Sequence, residues 1–162
     1  MSGYVTEALL FIGPSYVANA APLLFGGGNP LDGGRNFLDG KRIFGSHKTV
    51  RGFIAGIMAG TIIGLVESTV DGNLLFGGFM IGFGAVLGDL LGAFVKRRLG
   101  LKPGSPFPVV DQLDFVLGGL LLGSLFFPLS LTAVLLVVLV TPPIHLGTNF
   151  GAYLLGIKKT YW

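Results

Sequence analysis

The chain has 162 residues, of which 51% are hydrophobic and only 12% are charged. A soluble domain is typically about 25% charged, and the mean hydropathy of +0.77 indicates instead a protein that crosses a membrane several times. The 28 glycines follow no collagen-like period, the long apolar runs exclude a disordered chain, and the lack of cysteine excludes a disulfide framework.

Long uncharged segments predict five membrane-spanning helices in an all-α protein with a single domain, residues 1–162. No charged side chain occurs in residues 8–31, 72–88 or 115–157. The last stretch is long enough for two crossings joined by a turn at Pro128, because one crossing takes about 20 residues. The predicted spans are 4–24, 51–67, 74–95, 112–128 and 131–155. A signal peptide is not expected, because no basic residue precedes the first span.

Glycine recurs at every fourth residue in the second and third predicted spans. The two stripes are Gly52, Gly56, Gly60 and Gly64, and Gly84, Gly88 and Gly92. Small residues at this spacing let membrane helices approach closely. We therefore expect both stripes to form helix contacts, with the two stripes packed against each other as one arrangement.

All 11 basic residues fall on one side of the predicted membrane. They lie in or beside a loop of about 25–50, in a loop of about 96–111, and after the fifth span. Cytoplasmic segments of membrane proteins are enriched in lysine and arginine. The distribution predicts an outside N-terminus, a cytoplasmic C-terminus and a polar cavity at the cytoplasmic helix ends. Because topology explains the basic charge, no nucleic-acid partner is expected.

Three aspartates lie near the basic loops at the predicted cytoplasmic ends. Asp89 is within the third span, where a carboxylate usually faces a polar cavity or a partner. Asp111 and Asp114 begin the fourth span and are neighbours on one helix face. Such oxygen ligands beside cations suit Mg²⁺ with a bound polyphosphate. The alternatives are an ion pair of Asp89 with Lys96 and stabilisation of a helix start by the other two carboxylates.

The first loop is rich in glycine, cations and small polar groups, which can surround phosphates. It is not a P-loop, because Ser46 follows Gly45 where that motif requires lysine. An ordinary positively charged cytoplasmic loop is the alternative. In the fifth span, His145 and Asn149 share one helix face, in a supporting or a packing role. No serine, histidine and acid pattern supports a covalent nucleophile.

These blocks, taken together and in order, resemble those of the CDP-archaeol synthases, the archaeal CTP-dependent cytidylyltransferases of lipid synthesis. The resemblance covers nearly the whole chain. Its blocks are residues 18–22, 25–28, 39–42, 45, 48–49, 88–89, 96–98, 111–115, 145, 149 and 158–162. The acidic pair is also similar to that of the CDP-diacylglycerol synthases, with Gln112 where they usually have arginine. Ala93 stands where the archaeal family often has serine.

The resemblance implies transfer of a cytidylyl group from CTP to an unsaturated archaeal ether-lipid phosphate, digeranylgeranylglyceryl phosphate, within the lipid bilayer. It implies Mg²⁺ as the cofactor, held by Asp89, Asp111 and Asp114. Those three aspartates and Lys96 are the implied catalytic residues. Binding of CTP or of phosphate is implied for Asn36, Asp39, Lys41, Arg42, Lys48, Thr49, Lys96 and Arg97. His145 and Asn149 are implied supporting residues.

Two other function classes stay open on the sequence. A CDP-alcohol phosphotransferase would carry the signature D-G-x-x-A-R, but Asp39 and Gly40 are followed directly by Lys41 and Arg42. A small transporter or channel subunit would use Asp89 for coupling or permeation. Transporters often contain internal repeats, and the only repetition here is the glycine spacing of the second and third spans.

Overall fold

The computed structural model describes residues 3–160, which form five α-helices and, apart from isolated bridges, no β-strand. The helices are α1 (Gly3–Phe25), α2 (Val50–Glu67), α3 (Leu74–Arg98), α4 (Val110–Gly123) and α5 (Leu131–Leu154). The all-α fold and the order of the helices are as predicted, and α3 extends three residues beyond its predicted end. Tyr161 and Trp162 of the terminal block lie outside the described residues.

Helix α4 corrects the predicted span of 112–128. It has 14 residues, which correspond to a length of about 21 Å. The amide of Phe127 donates to the carbonyl of Gly123 at 2.8 Å, and this turn precedes Pro128, which disfavours helix in the residue before it. Within residues 3–160, the other four helices are long and apolar enough to cross a membrane, and α4 is not among them.

Helix α3 has the largest buried share of the four long apolar helices in the described part of the chain. It packs against α1, α2 and α4, whereas α5 packs only against α1 and α4. The core between these helices contains Phe11, Ile81 and Phe115, which are at most 1% exposed. A hydrogen bond of 2.9 Å from the Tyr16 hydroxyl to Thr141 Oγ1 joins α1 to α5. The predicted site residues Asp89, Lys96 and Arg97 are all on this most buried helix.

Large apolar side chains cover the outer surface of the bundle. On α2, Ile54, Met58 and Ile62 are each at least half exposed, and on α5 Leu139 is 73% exposed. Contiguous apolar surface of this extent is typical of a face in contact with lipid. Together with the four long apolar helices, it indicates a multi-pass membrane protein.

Glycines bring α3 close to both α2 and α4. A Cβ added at Gly60 would lie 2.7 Å from the Cα of Gly82, and one added at Gly118 would lie 2.8 Å from the Cα of Gly88. Both distances are shorter than real Cβ contacts. Glycine therefore permits a backbone approach that any larger residue would prevent.

This packing confirms that the glycine stripes form helix contacts, but the two stripes do not meet each other. The α2 stripe contacts Gly78 and Gly82 of α3, whereas Gly84, Gly88 and Gly92 of α3 face α4. Positions 82 and 84 are about 200° apart around a helix. Helix α3 thus has one glycine face toward α2 and a separate one toward α4.

The three basic segments meet at one end of the bundle. Lys41 Nζ donates to the carbonyl of Arg98 at 2.8 Å, and Lys48 and Lys96 contact carboxylates of α3 and of the α4 start. At the opposite end, Glu7 accepts a hydrogen bond of 2.8 Å from the Ser130 amide. The positive charge is therefore one-sided in space, and its cytoplasmic location stays a prediction.

We expect Gly60→Ala to destabilise the protein, because the added methyl group would meet the Gly82 backbone. Overpacking of this kind costs about 1–3 kcal/mol, and thermal unfolding of the detergent-solubilised protein measures it. Gly147→Ala is the matched control, since nothing lies within 4 Å of a Cβ at this helical position. Equal unfolding temperatures for the two variants would contradict the packing.

Single cysteines test the orientation, because the chain has no cysteine of its own. Leu38 and Val70 are 95% and 69% exposed at opposite ends of the bundle. In intact cells, an impermeant maleimide is expected to label Val70→Cys and to label Leu38→Cys only after lysis. Labelling of Leu38→Cys but not Val70→Cys in intact cells would reverse the orientation.

Candidate functional site

The first loop is built around the buried carboxylate of Asp32. Its two oxygens accept hydrogen bonds from Arg42 Nε and Nη2 and from the amides of Gly34, Phe44 and Gly45, at 2.5–3.2 Å. Burial alone would raise the pKa of Asp32, but these donors, with Arg42 first among them, hold it well below its usual range. The charged carboxylate therefore fixes the path of the loop.

A second set of contacts fastens this loop to the end of α3. Arg98 Nη2 donates to the carbonyls of Lys41 and Arg42, and Arg98 Nε lies 3.2 Å from a carboxylate oxygen of Asp39. The Arg98 guanidinium also lies 5.0 Å and 4.7 Å from the ring centroids of Phe37 and Phe94. The first loop is therefore held against the C-terminal end of α3.

Lys48 ends this loop next to Asp89 of α3. Its ammonium lies 2.5 Å and 2.6 Å from the two carboxylate oxygens, and both side chains are about one quarter exposed. Thr49 follows as the N-cap of α2, where its hydroxyl accepts the Gly52 amide at 3.1 Å and the Gly27 amide at 3.2 Å. The helix start therefore fixes the position of Lys48.

A second ion pair joins the end of α3 to the start of α4. Lys96 Nζ lies 2.8 Å from both oxygens of Asp111, whose Oδ2 also accepts the Phe107 amide at 2.9 Å. This corrects the alternative pairing of Asp89 with Lys96, because each uses a partner from another segment. Residues seven apart on a helix are about 10 Å apart along its axis, so the cross-segment partners are nearer.

Asp114 lies one helical turn after Asp111 and packs against α3 at Gly92. A Cβ at Gly92 would lie 3.0 Å from Cγ of Asp114, so only glycine leaves room for this carboxyl group. Its charged neighbours are Asp89, Lys48 and Asp111. The three predicted metal ligands are therefore gathered at one end of the bundle.

The oxygen donors of these three aspartates have the chemistry that Mg²⁺ prefers. In the described part of the chain, no three acidic or histidine side chains are close enough to ligate one ion together. Two of the carboxylates instead contact lysine. The residues fit Mg²⁺ in donor type, and the lysines hold the carboxylates in the arrangement described.

Arg97 is a buried cation between the two loops. Its side chain is packed near Gly45 and Pro103, the residue is 6% exposed, and its Nε and Nη1 have no hydrogen-bond partner among residues 3–160. Burial of two guanidinium nitrogens without acceptors is energetically costly. An anion at this point would relieve that cost.

Helix α5 contributes His145 and the residues that follow its end. Asn149 Nδ2 lies 3.3 Å from His145 Nδ1, and the histidine ring is 5.9 Å from the Phe115 ring. The charged neighbours of His145 are Lys158, Asp111 and Asp89. The predicted one-face arrangement of His145 and Asn149 is therefore present beside the acidic cluster.

The structure divides the predicted phosphate-binding residues into two groups. Lys48, Lys96 and Arg97 lie with the aspartates. Of the others, Asn36 and Arg42 make contacts within the first loop, Asp39 and Lys41 contact Arg98, and Thr49 caps α2. Ligand binding by both groups stays a prediction. Sequence reasoning missed Asp32, although the Asp-Gly-Gly turn signal was present. It included Lys158 only in the terminal block of the resemblance and gave it no role in the site.

Two cavities lie near the start of α2. One, of about 50 Å³, is lined by Lys48, Thr49 and Asp89. It is far smaller than the roughly 300–1,000 Å³ of typical ligand pockets. The other is an open apolar groove of about 690 Å³ along α2, lined by Gly27, Arg51, Ile54, Met58 and Ile62 among others.

Comparison with known proteins relates the whole chain to one family. The family model described as CarS-like: CDP-archaeol synthase matches residues 1–162. The CDP-archaeol synthase of Methanopyrus kandleri is 45% identical over 161 residues, which are 96% of this chain and 92% of that protein. The enzyme of the same name from Methanococcus aeolicus is 41% identical, with 98% of this chain and 97% of that protein covered.

A solved structure agrees with the sequence relatives. That structure is of an intramembrane enzyme for archaeal membrane lipids biosynthesis. The TM-score is 0.83 at 37% sequence identity, and the match covers 90% of this chain and 94% of that chain. By family match, identity and fold, the chain belongs to the CDP-archaeol synthase family.

Proposed function

We propose that this protein is a membrane cytidylyltransferase that transfers the cytidylyl group of CTP to an unsaturated archaeal ether-lipid phosphate. An oxygen of the lipid phosphate attacks the α-phosphorus of CTP. The bond from that phosphorus to the bridging oxygen of the β-phosphate breaks, and pyrophosphate leaves with the electron pair. The products are a CDP-lipid and pyrophosphate, and no covalent protein nucleophile is needed.

The observation that carries this proposal is the meeting of lysines and aspartates from three separate segments. Lys48 comes from the first loop, Lys96 from the end of α3, and Asp111 with Asp114 from the start of α4. Both substrates are anions that repel each other, so bringing them together requires compensating positive charge. A site of lysines and metal-type carboxylates supplies that compensation.

Mg²⁺ is the proposed cofactor, with Asp89, Asp111 and Asp114 as its protein ligands. When bound, it would neutralise charge on the reacting phosphates and polarise the phosphoryl oxygens. Mg²⁺ sites commonly combine a few carboxylates with substrate phosphates and water. The carboxylates would then exchange their lysine partners for the metal.

The lysines have a complementary role in this proposal. Released from Asp89 and Asp111, Lys48 and Lys96 would donate to phosphate oxygens of the substrates. Within residues 3–160, two buried guanidinium nitrogens of Arg97 have no hydrogen-bond partner, so this residue is suited to the same task. Charge-assisted hydrogen bonds of this kind fix the orientation of phosphates as well as their affinity.

The apolar groove along α2 is suited to an isoprenoid chain of the lipid substrate. Ile54, Met58 and Ile62 present apolar surface outward, and Arg51 lies at the loop end of the groove. A lipid in the bilayer can enter such an open groove sideways. Its phosphate would then lie near the charged end, where CTP arrives from the aqueous side.

The direct test combines purified protein, labelled CTP, Mg²⁺ and digeranylgeranylglyceryl phosphate, followed by the appearance of label in lipid. We expect Asp89→Asn, Asp111→Asn and Asp114→Asn each to lose nearly all transfer, because each removes a charge that holds the metal. Asp71→Asn, at the opposite end of the bundle, is the matched control and should keep wild-type activity. The metal site is excluded if Asp111→Asn and Asp114→Asn both retain wild-type activity and metal dependence.

Lys48→Gln and Lys96→Gln are expected to raise the KM for CTP or for the lipid phosphate. Loss of a hydrogen bond to a charged group costs about 1.5–3 kcal/mol, which corresponds to an increase of about tenfold or more. Lys102→Gln is the control, because Lys102 is an exposed lysine of the second loop. Unchanged kinetics in Lys96→Gln would limit that residue to anchoring the helix end.

A further inference from the structure

The chain does not continue straight out of α5 but turns back at its end. Gly156 has a φ of 71°, in the left-handed region that favours glycine. The amides of Ile157 and Lys158 both donate to the carbonyl of Ala152, at 2.9 Å and 3.1 Å, and the Gly156 amide donates to Tyr153 at 3.0 Å. This is the geometry of a glycine C-cap, which reverses the chain direction.

The reversal gives the two adjacent lysines different surroundings. Lys158 is partly buried, whereas Lys159 is exposed. The charged neighbours of Lys158 are Asp111, Lys48 and Lys96, and it is itself a charged neighbour of His145. The turn therefore brings one lysine of the tail to the site.

Three lysines from distant parts of the sequence thus approach one another. Two of them, Lys48 and Lys96, already contact Asp89 and Asp111 at 2.5–2.8 Å. Asp89 and Asp111 offset part of the positive charge that the three ammonium groups bring together. Burial lowers the pKa of Lys158; among its charged neighbours Asp111 has the largest effect and raises it, whereas Lys48 and Lys96 lower it. A substrate phosphate at this point would be an acceptor that all three ammonium groups could share.

We propose that Lys158 is a third phosphate-binding lysine of the site, and that the left-handed turn at Gly156 positions it there. The inference rests on the proposed function and extends it to the residues after α5. The ligand is a substrate phosphate, of either CTP or the lipid. The kinetic arms of the test separate these two sources.

The experiment compares Lys158→Gln with Lys159→Gln, an adjacent and exposed lysine. The KM for CTP is measured at saturating lipid phosphate, and the KM for lipid phosphate at saturating CTP. We expect Lys158→Gln to raise one of the two KM values on the order of tenfold, Lys158→Arg to restore most of the loss, and Lys159→Gln to match the wild type. The KM that rises identifies the phosphate.

The turn is tested with Gly156→Ala, which strains the left-handed position, and with Gly151→Ala as the control. A Cβ at Gly151 meets nothing within 4 Å. Gly156→Ala should raise the same KM as Lys158→Gln, and the double variant should be no worse than Lys158→Gln alone, because both changes act through one ammonium. Thermal unfolding of each variant checks that the bundle is intact.

The outcomes separate this inference from the proposed function. If the wild type transfers label and Lys158→Gln has the kinetics of Lys159→Gln, the inference is overturned and the function stands. If the wild type transfers none, the function fails, and titration of CTP and of lipid phosphate separately into wild type and Lys158→Gln still decides the inference. Equal affinities of the two proteins for both ligands would overturn it.

Discussion

The close approach of α3 to its two neighbours determines where the charged side chains of the site can lie. Glycine contacts such as Gly88 with Gly118 bring the backbones of α3 and α4 together, so residues near the same end of both helices are neighbours. Asp114 is placed directly against Gly92 by this packing. The position of the acidic cluster is thus set mainly by the main chain, and larger residues at the glycines would move it.

Within that frame, the charges are arranged in pairs that cross between segments. Lys48 and Asp89 join the first loop to α3, and Lys96 with Asp111 joins α3 to α4. In each pair the lysine reduces the repulsion between neighbouring carboxylates, and the aspartate reduces the repulsion between neighbouring ammonium groups. In the proposed function the same groups would serve a metal and phosphates, and the ion pairs would keep them in place for the substrates.

Much of the architecture follows from the sequence because charge-free runs mark helices and clustered cations mark one side. The end of α4 was not predicted, since the apolar run continues through residues 124–127 while the backbone turns before Pro128. The partners of Asp89 and Lys96 were also beyond the sequence, because ion pairing across segments depends on helix packing. The approach of Lys158 to the site was not predicted for a similar reason, because a left-handed residue at Gly156 reverses the chain and a glycine in the sequence does not by itself predict that conformation.

The buried carboxylate of Asp32 has a consequence for the cost of substrate binding. Ordering a flexible loop on a ligand costs about 1–2 kcal/mol of conformational entropy per residue fixed. Five donors around Asp32 order this loop through contacts within the protein itself. In the proposed function, little of the free energy of nucleotide binding would be consumed in arranging this preorganised loop. The affinity for the nucleotide would then depend chiefly on the charges that the loop presents.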